Sequence, residues 1–190
     1  LSSLELDTKS TFEIVNIFSE ADKEPQKAVK HAIPEIVKAI DEITLKLKSN
    51  GRLFYIGTGT SGRLGVLDAS ECPPTFCSSP ELIQGIIAGG EKALTRSSES
   101  LEDITELAIT NLKDKDFSDN DVLIGITASG RTPYVISAIS YSKSVNALTI
   151  SISSVPSSET SIKSDIDIRL ITGPEILAGS TRLKAGTATK

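Results

Sequence analysis

The sequence predicts an α/β fold in which a five-stranded, mostly parallel sheet carries helices on both faces and follows an N-terminal helical segment. Three observations predict it. From Arg52 onward, short apolar runs each end in a loop of Gly, Ser and Thr, as strands buried on both faces do. Between these runs lie stretches of helical spacing, and such alternation marks a parallel sheet layered between helices. The first fifty residues carry only the helical period. With 190 residues, 38% hydrophobic content and 13 glycines, the chain is long and apolar enough to bury a core without disulfides or metals.

Residues 1–51 form the helical segment, expected to pack on the core or on a partner subunit. From Thr11 the apolar residues Phe12, Ile14, Val15, Ile17 and Phe18 fit one broad helical face, and Pro25 is expected to punctuate the connection after Glu24. Pro34 suits a helix start and Asn50-Gly51 a stop. Between them Ile36, Val37, Ile40, Ile43, Leu45 and Leu47 recur mainly three or four residues apart, which predicts a long amphipathic helix. Residues 52–190 form the sheet domain, with strands expected at 53–56, 82–88, 122–127, 147–152 and 166–171. The clearest helix of this part is 133–143, and a last one is expected to start near Ser180.

Lys plus Arg number 20 against 25 for Asp plus Glu, a formal charge of −5 with no cationic block. That argues against nucleic acid or an anionic membrane as the main partner. No run approaches a membrane span, and the stretch Leu1-Ser2-Ser3-Leu4-Glu5 lacks the basic and apolar regions of a signal peptide, so a cytoplasmic home is expected. Two cysteines, Cys72 and Cys77, and the single His31 are too few for a disulfide framework or a structural zinc site, so metal-free chemistry is expected. His31 reads as a helix residue rather than the base of a Ser-His-Asp triad.

Two loops echo each other. Thr60-Ser61-Gly62-Arg63 follows the first strand and Ala128-Ser129-Gly130-Arg131 the third, while Gly179-Ser180-Thr181-Arg182 follows the fifth. In a parallel sheet the carboxyl ends of the strands share one edge. Loops rich in hydroxyls that lead into helix starts, where N–H groups lack partners, suit a phosphate; Thr132-Pro133 sharpens the second. Gly57-x-Gly59-x-x-Gly62 matches a dinucleotide fingerprint. The acid that fingerprint requires about twenty residues on falls nowhere suitable, because the segment there is interrupted by Pro73 and Pro74.

The run Gly57-Thr58-Gly59-Thr60-Ser61-Gly62-Arg63-Leu64-Gly65, with Asp68-Ala69-Ser70-Glu71-Cys72-Pro73-Pro74-Thr75-Phe76, resembles the N-acetylmuramic acid 6-phosphate etherases of the sugar isomerase (SIS) superfamily, relatives of the glucokinase regulatory protein. The likeness continues through residues 86–91, 128–134 and 179–188. It implies a three-layer SIS sandwich, a sugar-phosphate substrate, no cofactor, and a homodimer with its sites near the interface. It also implies a further helical region beyond residue 190, without which reduced activity is expected. The family's catalytic carboxyl pair maps onto Glu71, as acid on the leaving oxygen, and Glu102, as base at carbon 2, with the exchange of roles left open. Candidate substrate contacts are Thr60, Ser61, Gly62, Ser129, Gly130, Thr132, Ser180 and Lys184. Around the second acid the family's small spacers appear as Ser100 and Leu101, and Val155 stands where the family has Asn before Pro156. An aldose–ketose isomerase or a non-catalytic sugar-phosphate sensor are the rival readings, and the acid of Ser70-Glu71-Cys72-Pro73-Pro74 favours the lyase.

Overall fold

The computed structural model describes residues 4–96 and 99–190. Strands β1 (Leu53–Gly57), β2 (Ile83–Ile87), β3 (Val122–Ile126), β4 (Leu148–Ser153) and β5 (Ile166–Arg169) form one sheet in the order β2-β1-β3-β4-β5, every pair parallel. The expected strands are all present, within a residue or two at their ends. The order reverses between β1 and β3, and that switch opens a crevice at their carboxyl ends.

Side chains alternate across the sheet because successive Cβ atoms point to opposite faces. Phe54, Ile56 and Leu123 pack with Leu112 of helix α6 (Thr105–Lys113), which follows the one-turn α5 (Lys92–Thr95), and with Tyr134, Val135 and Ile139 of helix α7 (Pro133–Ser144). Leu53, Val122, Ile124, Ile126 and Ile150 face the other way, toward Ala28 and Ala39 of the N-terminal helices and Ala188 of helix α8 (Lys184–Thr189). All of these side chains are at most 6% exposed, so both faces are core.

The N-terminal segment divides into α1 (Thr11–Ala21), α2 (Lys23–His31) and α3 (Ile33–Lys48). Ser10 and Glu13 close a reciprocal capping box at the start of α1. The first break falls at Asp22 and not at Pro25, which is buried in the first turn of α2, where its missing N–H is no loss. His31 ends α2 with Nδ1 2.7 Å from the Lys27 carbonyl oxygen, as a helix residue. Against the core α3 buries Ala39, while Ile33, Val37 and Ile40 remain exposed on its other side.

Two further expectations are corrected. Helix α4 (Gly59–Phe76) runs through Pro73 and Pro74, which form its last turn before a left-handed Cys77. Prolines there sacrifice only the hydrogen bonds of the final turn. Helix α8 begins at Lys184 and not near Ser180, because residues 179–183 close tight turns, Thr181 N–H to the Gly179 carbonyl and Leu183 N–H to that of Ser180.

Candidate active site

At the carboxyl ends of β1 and β3 lies a cleft of about 220 Å³, lined by Thr58, Gly59, Thr60, Ser61, Glu102, Thr127, Ala128, Ser129, Thr132 and Thr181. Its two main walls are the hydroxyl-bearing segments that the sequence echo picks out, but they differ in form. Thr60, Ser61 and Gly62 are already the first turn of α4, whereas residues 128–131 are a true turn ahead of α7. Thr58 caps α4 without a side-chain hydrogen bond to it, because its hydroxyl lies 3.4 Å from Glu102 Oε2 and donates there. The first N–H groups of α4 therefore face the cleft at the positive end of an 18-residue helix, a ready anion site.

The start of α7 offers less than the sequence suggests. Pro133 has no N–H, and Tyr134 N–H donates to the Glu102 carbonyl at 3.0 Å. Thr132 turns its hydroxyl to Thr127 Oγ1 at 2.8 Å, and Ser129 Oγ accepts from Arg131 N–H at 3.2 Å. These hydroxyls form a braced cluster on the β3 wall. The same Tyr134 bond holds Glu102, which sits in a turn after the short 3-10 segment Glu99–Leu101.

The two glycines proposed as substrate contacts serve the frame. A Cβ on Gly62 would lie 2.7 Å from the Gly57 carbonyl oxygen and equally close to Ile87, so its absence seats α4 against β1 and β2. Gly130 takes φ +65°, and a Cβ there would come 2.6 Å from Thr160 Oγ1. Val155 packs behind Gly130 and is not among the residues lining the cleft. On the third loop it is Thr181 that lines the cleft. Ser180 Oγ is buried and has no hydrogen-bond partner in the described structure.

Lys184 is not brought to the cleft. It is 6% exposed, its ammonium donates to the Thr172 carbonyl at 2.7 Å, and it borders a separate hollow beside Asn16 and Glu24. An ammonium that is taken out of water needs such an acceptor, and the carbonyl just past β5 is the nearest one. Glu71 is apart as well. It follows Ser61 by ten residues in α4, about 15 Å along the axis, and lines a different, largely apolar groove of about 510 Å³ with Ile40, Leu67 and Asp68. There Tyr55 donates to Asp68 Oδ2 at 2.7 Å, and burial first, then that bond, pushes the Tyr55 hydroxyl well above its ordinary value. Within one chain the two glutamates do not share a cavity.

Thr58, Thr127 and Thr181 line the cleft although the sequence did not mark them as substrate contacts. The first two end or directly follow strands, and that position at the sheet's carboxyl edge was the available signal. Among the described residues no three His, Cys, Asp or Glu side chains gather as a metal site would require, and no helix is long and apolar enough to cross a membrane.

The chain is 78% identical over 190 residues to the N-acetylmuramic acid 6-phosphate etherase of Prochlorococcus marinus (strain NATL1A), covering 100% of this chain and 61% of that protein. The relative of the same name from strain MIT 9313 is 59% identical over 185 residues, 97% of this chain and 58% of that protein. The chain thus spans about three fifths of the length of these curated relatives. Among solved structures, phosphoheptose isomerase from Neisseria gonorrhoeae superposes with a TM-score of 0.67 at 16% identity, over 92% of this chain and 90% of that one, which shows the shared fold. The family model of the SIS domain matches residues 105–189, and that of the glucokinase regulatory protein N-terminal SIS domain matches residues 35–143. Since the latter spans more than half of its length and the sheet around the cleft is that of an SIS fold, the chain belongs to the family of the glucokinase regulatory protein N-terminal SIS domain.

Proposed function

We propose that this chain carries the sugar-phosphate site of an enzyme that removes D-lactate from N-acetylmuramic acid 6-phosphate, leaving N-acetylglucosamine 6-phosphate. The observation that carries the reading is one small cleft holding both a helix N-terminus open to a phosphate and the carboxylate of Glu102. The name borne by relatives as similar as 78% supports the same reaction. The phosphate is held by the α4 N–H groups with Thr60, Ser61, Ser129 and Thr132, and Ser180 offers a further hydroxyl from the third loop.

In the open-chain sugar the lactyl ether is β to the aldehyde, so the proton on carbon 2 is acidic. Glu102 removes it. The bond from carbon 3 to the ether oxygen breaks with its electron pair going to that oxygen, which takes a proton from the second carboxyl group, Glu71. Water then adds across the double bond, its oxygen to carbon 3 and a proton to carbon 2. Each positioned carboxyl group contributes a hundredfold to ten-thousandfold.

Because Glu71 stands outside its own chain's cleft, we assign it to the cleft of a second copy, in a homodimer. Ile40 and Leu67, 56% and 46% exposed along the Glu71 groove, are the apolar surface such a partner would cover. We place the reaction in the cytoplasm, since a phosphorylated sugar does not leave through a membrane unaided.

The test is to incubate the chain with N-acetylmuramic acid 6-phosphate in heavy water and measure D-lactate and carbon 2 deuteration. Release of both lactate and deuterated amino sugar phosphate is expected. Deuterium exchange with no lactate would overturn the lyase and favour an isomerase, and binding with neither would favour a sensor.

A further inference from the structure

We infer that Arg182 recognises the carboxylate of the lactyl group, and so selects which sugar phosphates the cleft accepts, an inference that rests on the reading above. The substrate has two anionic ends. The phosphate is answered by N–H groups and hydroxyls, but the residues lining the cleft include a carboxylate and no cation. A second anion held there without a cation would be costly.

The loop from Thr172 to Lys184 is pinned at its base. Lys184 Nζ donates to the Thr172 carbonyl at 2.7 Å, and the Glu175 carboxylate accepts from Lys184 N–H at 2.9 Å and from Ala185 N–H at 3.0 Å. Three hydrogen bonds therefore fix the loop that puts Thr181 into the cleft. Arg182 is the next residue.

The other cations near the cleft's walls are committed. Arg63 donates to the carbonyls of Leu94 and Arg96, Arg131 to that of Glu159, and Lys184 to that of Thr172. Arg182 is exposed and, among the described residues, makes no hydrogen bond or ion pair. An unspent guanidinium on a braced loop beside the cleft fits a carboxylate, which it binds through two parallel hydrogen bonds. A sugar phosphate with a plain hydroxyl on carbon 3 would leave it in water.

The experiment measures Kd for N-acetylmuramic acid 6-phosphate and for N-acetylglucosamine 6-phosphate in Glu102→Gln protein, where turnover is slowed about a hundredfold or more, with and without Arg182→Ala or Arg182→Lys. The lactyl ligand is expected to bind about tenfold to a hundredfold tighter than the plain sugar phosphate. Arg182→Ala removes that preference and Arg182→Lys keeps part of it. A preference that survives Arg182→Ala, or none in Glu102→Gln protein whose wild type releases lactate, overturns the role of Arg182 and leaves the lyase standing. Wild-type protein that releases no lactate and shows no preference overturns the lyase, and Arg182 with it.

Discussion

Thr58 Oγ1 reaches Glu102 Oε2 at 3.4 Å, and in doing so it forgoes capping its own helix. One hydroxyl thus links the two parts of the cleft: it orients the carboxylate and leaves the α4 N–H groups open for an anion. Thr58→Val is expected to lower the rate of lactate release about twofold to tenfold, the worth of one weak hydrogen bond, while Thr58→Ser restores it. Steady-state kinetics of the two variants check this, and a Thr58→Val enzyme of full activity would remove Thr58 from the site.

The separation of Glu71 from Glu102 predicts complementation between subunits. Glu71→Gln and Glu102→Gln proteins are each expected to release lactate a hundredfold or more slowly. Carbon 2 exchange survives in Glu71→Gln and is lost in Glu102→Gln; the reverse pattern swaps the roles. Mixed and re-equilibrated, half of the dimers are heterodimers with one intact site, so activity should recover to about a quarter of wild type. No recovery would mean that both glutamates come from one chain.

Gly62→Ala sets two effects of opposite sign against each other. Alanine favours the helix by about 1 kcal/mol, but its Cβ would meet the Gly57 carbonyl oxygen at 2.7 Å, and overpacking costs about 1 to 3 kcal/mol. The second wins, because the Gly57 backbone cannot move aside and the Ile87 side chain on the other side is itself buried. A fall in Tm of several degrees and a weaker Kd for N-acetylglucosamine 6-phosphate are expected, measured by calorimetry and titration.

Acid stability follows from Asp121, 2% exposed. Burial, the largest influence, pushes its carboxyl up, but hydrogen bonds from Arg52, Ser118 N–H and Arg52 N–H together hold it below the ordinary aspartate value. A depressed carboxyl contributes stability that is fully present above its unfolded value, about 3.9, and is lost as pH falls through the lower folded one. Burial is again the largest influence on Asp165 and pushes it up, but Lys143 and Thr149 together hold it below the ordinary value, so it adds to the same acid limb. Denaturant melts from pH 7 to 2 should show stability falling below about pH 4. Asp121→Asn should flatten that fall and cost about 3 kcal/mol at pH 7, since it leaves the Arg52 guanidinium without its charge partner.

Much of this protein is determined by its sequence. Continuous apolar runs such as Leu53 to Ile56 and the helical spacing from Ile36 to Leu47 specify strands buried on both faces and an amphipathic helix, because side-chain direction repeats with the backbone and each apolar face must be covered. The hydroxyl turns after β1 and β3 are legible for the same reason: in a parallel sheet, whatever follows a strand lies at one edge. The tertiary structure decided the rest. It made Gly62 and Gly130 packing residues, since the atoms they must avoid, the Gly57 carbonyl and Thr160, come from elsewhere in the chain. It turned Lys184 inward to Thr172 and left Arg182 outside, a choice set by where one buried carbonyl lies. It put Glu71 and Glu102 in different cavities, because ten residues of helix carry one of them down the sheet while a turn bonded to Tyr134 holds the other at its edge. Local pattern fixes which way a side chain leaves the backbone, and only the packing of distant segments fixes what it meets.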